Sequence, residues 1–274
     1  MNMGAWRPLA QDTVRCVGGA VAIVVADSKA QARDAAEAVV VDYETLPVVT
    51  SAIEALKDGA PQLHPEAKNN LIFDWEIGDS AATDAAIASA AHVTEMKVIN
   101  NRLVPNPMEP RAALGVYDEG EDHYTLWTTS QNPHVARLVL SAFYNVAPEN
   151  KLRVIAPDVG GGFGSKIYIY PEEIVCLWAS KRTGVPVKWN SDRTEAFLTD
   201  AHGRDHVSTV KMAFDADNRI TGFKVDTIAN LGAYMSLFSS SVPTYLYATL
   251  LSGQYNIPNI HANVRTVYTN TVPV

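Results

Sequence analysis

Cysteine is scarce in this sequence, and long apolar runs and a recognisable leader are absent. The 274 residues include only two cysteines, Cys16 and Cys176, which are too few for a disulfide framework and form no CxxC pair. No apolar run approaches the roughly 20 residues needed to cross a bilayer, so we predict no membrane span. The N-terminus has no basic segment followed by an apolar one, and we therefore expect a cytoplasmic protein.

The overall composition excludes two further classes of protein. Hydrophobic residues make up 47% of the chain, which is too many for an intrinsically disordered protein and enough for a sizeable core. The net charge of −8 argues against general binding of nucleic acids. The length predicts roughly two domains.

Apolar periodicity and turn residues predict an α+β first part. Ser28 or Asp27 is placed to cap a helix over residues 29–38. The other predicted elements are a buried strand at 14–26 that contains Cys16, a strand at 39–43, a short helix at 52–57, a connector at 60–80 and an Ala-rich helix at 81–91.

The second part contains two segments with the same layout. Predicted strands at 123–129 and 152–156 each end in a loop that leads to a helix, at 134–144 and from 171 to about 182, before a strand at 186–189. The side chains expected on the buried helix faces are Val135, Leu138, Val139, Ile174, Val175, Leu177 and Trp178. Ligand sites accumulate where such loops leave the carboxyl ends of strands.

The most unusual stretch is the glycine loop, Gly160-Gly161-Gly162-Phe163-Gly164. Its spacing matches neither the P-loop nor the dinucleotide fingerprint. Glycines allow close approach of the backbone, and free N–H groups there would suit an anionic or oxygen-rich ligand. A tight turn with close packing remains the alternative. Gln131, at the matching position of the other loop, either contributes to the same site or only caps and faces solvent.

Other residues give weaker signals. We expect surface ion pairs at Glu109–Arg111 and at Asp192–Arg193. His202 and His206 would form a metal pair only on a helix, and Gly203 between them argues against one. Cys16 and Cys176 are expected to be packing residues. We therefore predict no metal ligands among these side chains.

Taken together, the motifs resemble those of the molybdenum-cofactor-binding large subunit of the molybdenum hydroxylases, the group of xanthine dehydrogenase, aldehyde oxidase and aerobic carbon monoxide dehydrogenase. The resemblance covers essentially the whole chain. The segments that carry it are residues 14–26, NPMEPR at 106–111, SQNPH at 130–134, DVGGGFGSK at 158–166, GVPVKW at 184–189 with Asp192-Arg193, GAY at 232–234 and VYTN at 267–270.

The resemblance implies an α+β fold with two parts. Residues 1–75 would be the C-terminal part of an αβ hammerhead domain and a connector. Residues 76–274 would be the first molybdopterin-binding domain, truncated at its C-terminal end. The catalytic base would lie outside this chain, and the 274-residue piece alone is expected to have no turnover.

The resemblance also implies the site residues. Gln131 would donate a hydrogen bond to an oxo ligand of molybdenum, and the backbone of Gly161, Gly162, Phe163 and Gly164 would hold the molybdopterin or its cytosine dinucleotide. The pterin, not a side chain, would bind the metal. Xanthine-oxidising members carry a glutamate where this chain has Ile167, which disfavours purine substrates.

The implied activity is oxidation of a small carbonyl, heterocyclic or carbon monoxide substrate, with water as the oxygen source. Electrons would pass to Fe-S and FAD subunits in a hetero-oligomer, since two cysteines cannot ligate such clusters. The alternative is a non-catalytic assembly module that binds phosphate or a nucleotide through the glycine loop.

Overall fold

Seven α-helices and nine β-strands occur in the part of the chain that the computed structural model describes, Asn2, Gly4 and residues 6–274. The helices are α1 Lys29–Glu37, α2 Ala52–Ala55, α3 Ser80–Ala88, α4 Pro133–Ala142, α5 Pro171–Thr183, α6 Arg193–Thr199 and α7 Tyr245–Ala248. The strands are β1 Leu71–Gly78, β2 His92–Asn100, β3 Ala112–Asp118, β4 His123–Thr128, β5 Leu152–Ile155, β6 Val187–Asn190, β7 His206–Phe214, β8 Ile220–Gly232 and β9 Ile260–Tyr268.

The first of two compact units contains Val48–Leu103 and His202–Val274. Its five-stranded sheet has the order β1-β9-β8-β7-β2, in which β8 and β9 are parallel and the other neighbours are antiparallel. The side chains of Leu231, Val264 and Val267 are fully buried in this unit. The sheet with its helices confirms the predicted α+β class.

The second unit contains Trp6–Pro47 and Val104–Ala201. Its four-stranded sheet has the order β5-β4-β3-β6, and only β4 and β5 are parallel. Helix α5 lies directly on the sheet: a methyl group at Gly115 of β3 would come within 2.6 Å of the backbone of Cys176. Leu126, Leu140 and Leu177 are fully buried in the core between the sheet and the helices.

The predicted capping residues lie at the start of α1 and at the end of α5. The hydroxyl of Ser28 accepts a hydrogen bond from the N–H of Gln31 and caps α1. Gly184 follows α5 with a φ of 73°, the left-handed conformation in which a glycine costs least. The strands expected at 123–129 and 152–156 are β4 and β5.

The two strands expected before residue 50 were wrong. Residues 14–26 and 39–43 contain no strand, and Val40 is 91% exposed. A strand needs a hydrogen-bonded neighbour along its length. Among the described residues, the backbone of 14–26 receives one long-range bond, from the N–H of Ala10 to the carbonyl of Ala20. Cys16 therefore lies in a loop rather than in a buried strand.

Two further predictions need correction. The connector expected at 60–80 holds β1, which is paired with β9 in the first unit. Val139, Ile174, Val175 and Leu177 are buried as predicted, but Leu138 and Trp178 are exposed, so these two were assigned to the wrong helix face. No helix in the described residues is long and apolar enough to cross a membrane.

The orientation of α5 can be tested with two neighbouring substitutions. Leu177 is fully buried and Trp178 is 56% exposed. We expect Leu177→Ala to lower the free energy of unfolding by about 2–5 kcal/mol, because it leaves a cavity in the core. Trp178→Ala should cost less than half as much. Urea denaturation of both variants measures the two values, and equal costs would contradict the orientation of α5 described above.

Candidate functional site

The parallel pairing of β4 and β5 brings the two predicted loops to one edge of the sheet. Trp127 of β4 is opposite Ile155 of β5, so both strands end at the same level. Gln131 follows β4 and the glycine loop follows β5, as the matching layout predicted. The two loops are in close contact: a methyl group at Gly162 would lie 2.2 Å from Oε1 of Gln131.

Hydrogen bonds fix the orientation of the Gln131 side chain. Its Oε1 accepts from the backbone N–H of Gly164 at 3.1 Å and of Lys166 at 3.3 Å. The backbone N–H of Gln131 donates to the carbonyl of Lys166 at 2.8 Å. Only the oxygen of an amide can accept from N–H groups, so Nε2 is the free end. No described residue accepts from Nε2, and Gln131 is exposed, so this side chain presents N–H donors.

The backbone of the glycine loop presents further donors. Gly161 and Gly164 both have a φ of 93°, which glycine adopts without strain. Phe163 has a φ of 49° and is 75% exposed, an unusual conformation for a bulky residue. The N–H groups of Gly162 and Phe163 donate to no described residue. Such unpaired N–H groups suit an anion or the oxygen atoms of a ligand.

An ion pair with one buried partner lies at the base of the glycine loop. The Lys166 side chain is fully buried, and its Nζ lies 2.8 Å from Oε2 of Glu109. The same oxygen accepts from the N–H of Gly160 at 2.8 Å. Burial raises the pKa of Glu109, but the Lys166 ammonium and the Gly160 N–H outweigh burial and hold that pKa below its ordinary value. Glu109 is therefore a carboxylate at neutral pH.

Arg111 is also buried, which shows that the expected surface ion pair of Glu109 and Arg111 was wrong. Its Nε lies 2.6 Å from Asp200 and its Nη1 lies 3.0 Å from Glu172. The guanidinium stacks on the ring of Tyr170, 3.6 Å from the centroid. The adjacent residues of the motif thus have separate partners, because Arg111 leads into β3 at the core of the sheet. The sequence does not show that Arg111 is buried while Glu109, two residues earlier, stays partly exposed.

Tyr170 connects this buried cluster to the glycine loop. Its hydroxyl donates to the carbonyl of Ser165 at 2.5 Å and accepts from the N–H of Ala201 at 2.9 Å. Burial raises the pKa of Tyr170, while the neighbouring Arg111 charge lowers it less, so the hydroxyl keeps its proton. Sequence reasoning missed both Tyr170 and Lys166, and only the position of Lys166 next to the glycine loop could have drawn attention to it.

Asp192 and Arg193 form no ion pair with each other, contrary to expectation. The carboxylate of Asp192 caps α6 by accepting from the N–H of Glu195 at 2.7 Å. Arg193 donates to the carbonyls of Pro107 at 2.8 Å and Met108 at 2.9 Å. Arg193 therefore holds the segment that immediately precedes Glu109.

His202, His206 and the two cysteines lie outside these two loops in the chain. Gly203, between His202 and His206, forms an antiparallel bridge with Leu103, so these histidines do not share a helix. Cys176 is buried in α5 as expected, and burial raises the pKa of its thiol to about 12. Burial also raises the pKa of Cys16 to about 11. Both thiols are protonated at neutral pH and are poor metal ligands.

The candidate site is therefore a set of donors. The described residues contain no group of three or more His, Cys, Asp or Glu side chains placed to hold a metal. The unpaired groups around the loop are the N–H groups of Gly162 and Phe163 and Nε2 of Gln131. These donors fit a cofactor that brings its own metal ligands and exposes oxygen atoms to the protein.

Comparison with known families gives this site a context. Residues 63–274 match the family described as a molybdopterin cofactor-binding domain. Residues 1–47 match the family described as the a/b hammerhead domain of aldehyde oxidase and xanthine dehydrogenase. The chain belongs to the molybdenum hydroxylase large subunits. Both parts of the predicted fold, a hammerhead piece followed by a molybdopterin-binding domain, are thereby confirmed. The boundary near residue 75 stays a prediction.

Individual molybdenum hydroxylases resemble the chain over nearly its full length. It is 39% identical to the carbon monoxide dehydrogenase large chain of Hydrogenophaga pseudoflava, over 97% of this chain and 34% of that protein. It is 35% identical to the nicotine 6-hydroxylase large subunit of Paenarthrobacter nicotinovorans, over 97% of this chain and 32% of that subunit. The chain thus spans about a third of the length of these curated relatives.

Solved structures of molybdenum hydroxylases share the fold. The crystal structure of the Cu,Mo-CO dehydrogenase matches with a TM-score of 0.90 and 36% identity, over 97% of this chain and 35% of that chain. Quinoline 2-oxidoreductase from Pseudomonas putida 86 matches with a TM-score of 0.90 and 34% identity, over 97% and 34%. The folded arrangement is therefore common to enzymes named for different substrates.

The buried charge of Arg111 can be tested against an exposed one. Arg111→Ala leaves Asp200 and Glu172 without a partner in the core, and we expect it to lower the free energy of unfolding by about 3–5 kcal/mol. Arg33→Ala removes an exposed pair with Glu37 on α1 and should cost less than about 1 kcal/mol. Urea denaturation compares the variants. Similar costs for both would show that Arg111 is not in a buried network.

Proposed function

We propose that this chain binds the molybdenum-pterin cofactor through Gln131 and the glycine loop. Nε2 of Gln131 and the N–H groups of Gly162 and Phe163 would donate to oxygen atoms of the cofactor. Gly161 and Gly164 would allow the backbone to turn so that these donors stay free. The observation that carries the proposal is the contact between Gln131 and Gly162, which places a side-chain donor beside unpaired backbone donors.

The protein that carries this chain would be an oxidoreductase. When bound, the cofactor supplies two-electron redox chemistry and an oxygen atom that comes from water. The role of the residues described above is to hold the oxygen atoms of the cofactor with fixed donors. Donors that are already oriented need no rearrangement when negative charge develops. The catalytic base is expected elsewhere in the longer protein, and the 274-residue piece alone would have no turnover.

We propose a small carbonyl compound, a nitrogen heterocycle or carbon monoxide as the substrate. The relatives include a carbon monoxide dehydrogenase and a nicotine 6-hydroxylase, which supports this range. Ile167, next to Lys166, has an apolar side chain that offers no hydrogen bond to a purine. The bound cofactor would be molybdopterin or its cytosine dinucleotide.

Electrons would leave through Fe-S and FAD centres on partner subunits of a cytoplasmic hetero-oligomer. An iron–sulfur cluster uses four cysteine ligands, and this chain has two cysteines, both with protonated thiols. One relative is named as subunit gamma of a 6-hydroxypseudooxynicotine dehydrogenase complex, which supports assembly with other subunits.

Analysis of the purified full-length protein tests the cofactor directly. We expect molybdenum by metal analysis and a pterin by fluorescence after release from the protein. A bound nucleotide or phosphate without molybdenum would contradict the proposal and would favour a non-catalytic assembly module instead.

The substrate class can be tested by following the reduction of an artificial electron acceptor. We expect reduction with carbon monoxide, an aldehyde or a nitrogen heterocycle, and none with xanthine or hypoxanthine. Oxidation of a purine in preference to all the others would contradict the interpretation of Ile167.

The contact between Gly162 and Gln131 can be tested with one methyl group. Gly162→Ala places that group 2.2 Å from Oε1 of Gln131, so the side chain must move away. We expect about a tenfold weaker retention of molybdenum after dialysis, because the supporting hydrogen bonds are lost. Gly203→Ala is the matched control, since a methyl group there meets no atom within 4 Å. Equal retention in both variants would contradict the proposed site.

A further inference from the structure

A single carboxylate oxygen joins the start of the glycine loop to Lys166, two residues after the end of the loop. Oε2 of Glu109 accepts from the N–H of Gly160 and from Nζ of Lys166, both at 2.8 Å. The backbone adds a bond in the opposite direction, from the N–H of Glu109 to the carbonyl of Gly160 at 3.4 Å. A methyl group at Gly160 would come within 2.6 Å of Cβ of Glu109, so this approach requires glycine.

Lys166 extends the same connection to the other loop. Its backbone N–H donates to Oε1 of Gln131, and its carbonyl accepts from the N–H of Gln131. Its side chain has no exposure to solvent and its ammonium meets the partly exposed carboxylate of Glu109. One residue thus ties both loops to Glu109.

Because the Lys166 ammonium is buried, it requires Glu109 as a partner. A buried ammonium is tolerated only with a partner of opposite charge and good geometry. Glu109 supplies that charge, and the carbonyls of Pro107 and Met108 that precede it are held by Arg193. The backbone that carries Glu109 is therefore held by Arg193 independently of its bonds to Gly160.

We propose that Glu109 and Lys166 are positioning residues that fix the glycine loop and Gln131 in the conformation that receives a ligand. Together they hold Gly160 at the start of the loop and the backbone of Lys166 just after it, and leave the N–H groups of Gly162 and Phe163 free between these points. That the ligand is the molybdenum-pterin cofactor rests on the function proposed above.

The test uses Lys166→Met in the full-length protein with its partner subunits. Methionine fills a similar volume without charge, and Glu109 can still accept from Gly160 and reach solvent. Glu109→Gln removes the charge from the other side. If either single variant fails to fold, the double variant Glu109→Gln with Lys166→Met removes both charges together and leaves no unpaired charge in the core.

A pair on another sheet provides the matched control. Lys211 and Glu95 form an ion pair at 3.2 Å between β7 and β2, and both side chains are exposed. Lys211→Met and Glu95→Gln repeat the same chemical changes away from the glycine loop in the chain.

Amide hydrogen exchange of residues 158–168 is the first measurement. We expect the exchange in this segment to be about tenfold faster in Lys166→Met, while α5 keeps its protection. The second measurement is molybdenum retained after dialysis, which should be about tenfold lower. The control variants should match the wild type in both measurements.

The outcomes separate the two proposals. Unchanged exchange of residues 158–168 in Lys166→Met and in the double variant would overturn the positioning role, whatever the molybdenum content. Faster exchange in a protein whose wild type holds no molybdenum would support the positioning role and contradict the proposed function. Faster exchange together with loss of molybdenum would support both.

Discussion

The parallel pairing of β4 with β5 is the constraint on which the rest of the candidate site depends. Two parallel neighbours end at the same edge of a sheet, so the loops that follow them meet there. The register that places Trp127 opposite Ile155 brings Gln131 against Gly162. A register shifted by one residue would turn Leu126 and its neighbours out of the core, so packing of the second unit also specifies the site.

Specific polar contacts then give order to a loop that has little intrinsic order. Four glycines in five residues lose much conformational freedom on folding. The compensation comes from specific partners: Gln131 for the N–H groups of Gly164 and Lys166, and Tyr170 for the carbonyl of Ser165. The N–H groups of Gly162 and Phe163 donate to no residue that the structure describes, so the loop is held at its ends and its centre offers free donors.

The sequence predicted the second unit better than the beginning of the chain, for physical reasons. Helices α4 and α5 are bounded by local signals, Asn132-Pro133 before α4 and Gly184 after α5, and their apolar side chains pack with β4 and β5 within the same unit. Residues 14–26 carry an equally apolar pattern, but a strand depends on a neighbour that no local pattern specifies. The connector predicted at 60–80 failed similarly, because the partner of β1 is β9, almost 200 residues later in the chain.

The ligand-facing residues of the candidate site were predictable from the sequence, but the charged residues that hold them in place were not. The glycine loop and Gln131 stood out because their residue types and matching positions after two strands are unusual. Glu109, Arg111 and Lys166 look like ordinary surface charges in a sequence, since burial and pairing depend on segments about 60 to 90 residues apart. The resemblance to the molybdenum hydroxylases named the family correctly, because its motifs are spread over the whole chain.

The central claim is that Gln131 and the glycine loop hold the cofactor by hydrogen bonds to its oxygen atoms. A crystal structure of the full-length protein with its cofactor bound is the most direct measurement. We predict cofactor oxygen atoms within about 3.2 Å of Nε2 of Gln131 and of a backbone nitrogen of Gly162 or Phe163. A cofactor bound elsewhere, with these donors facing only solvent, would contradict the account.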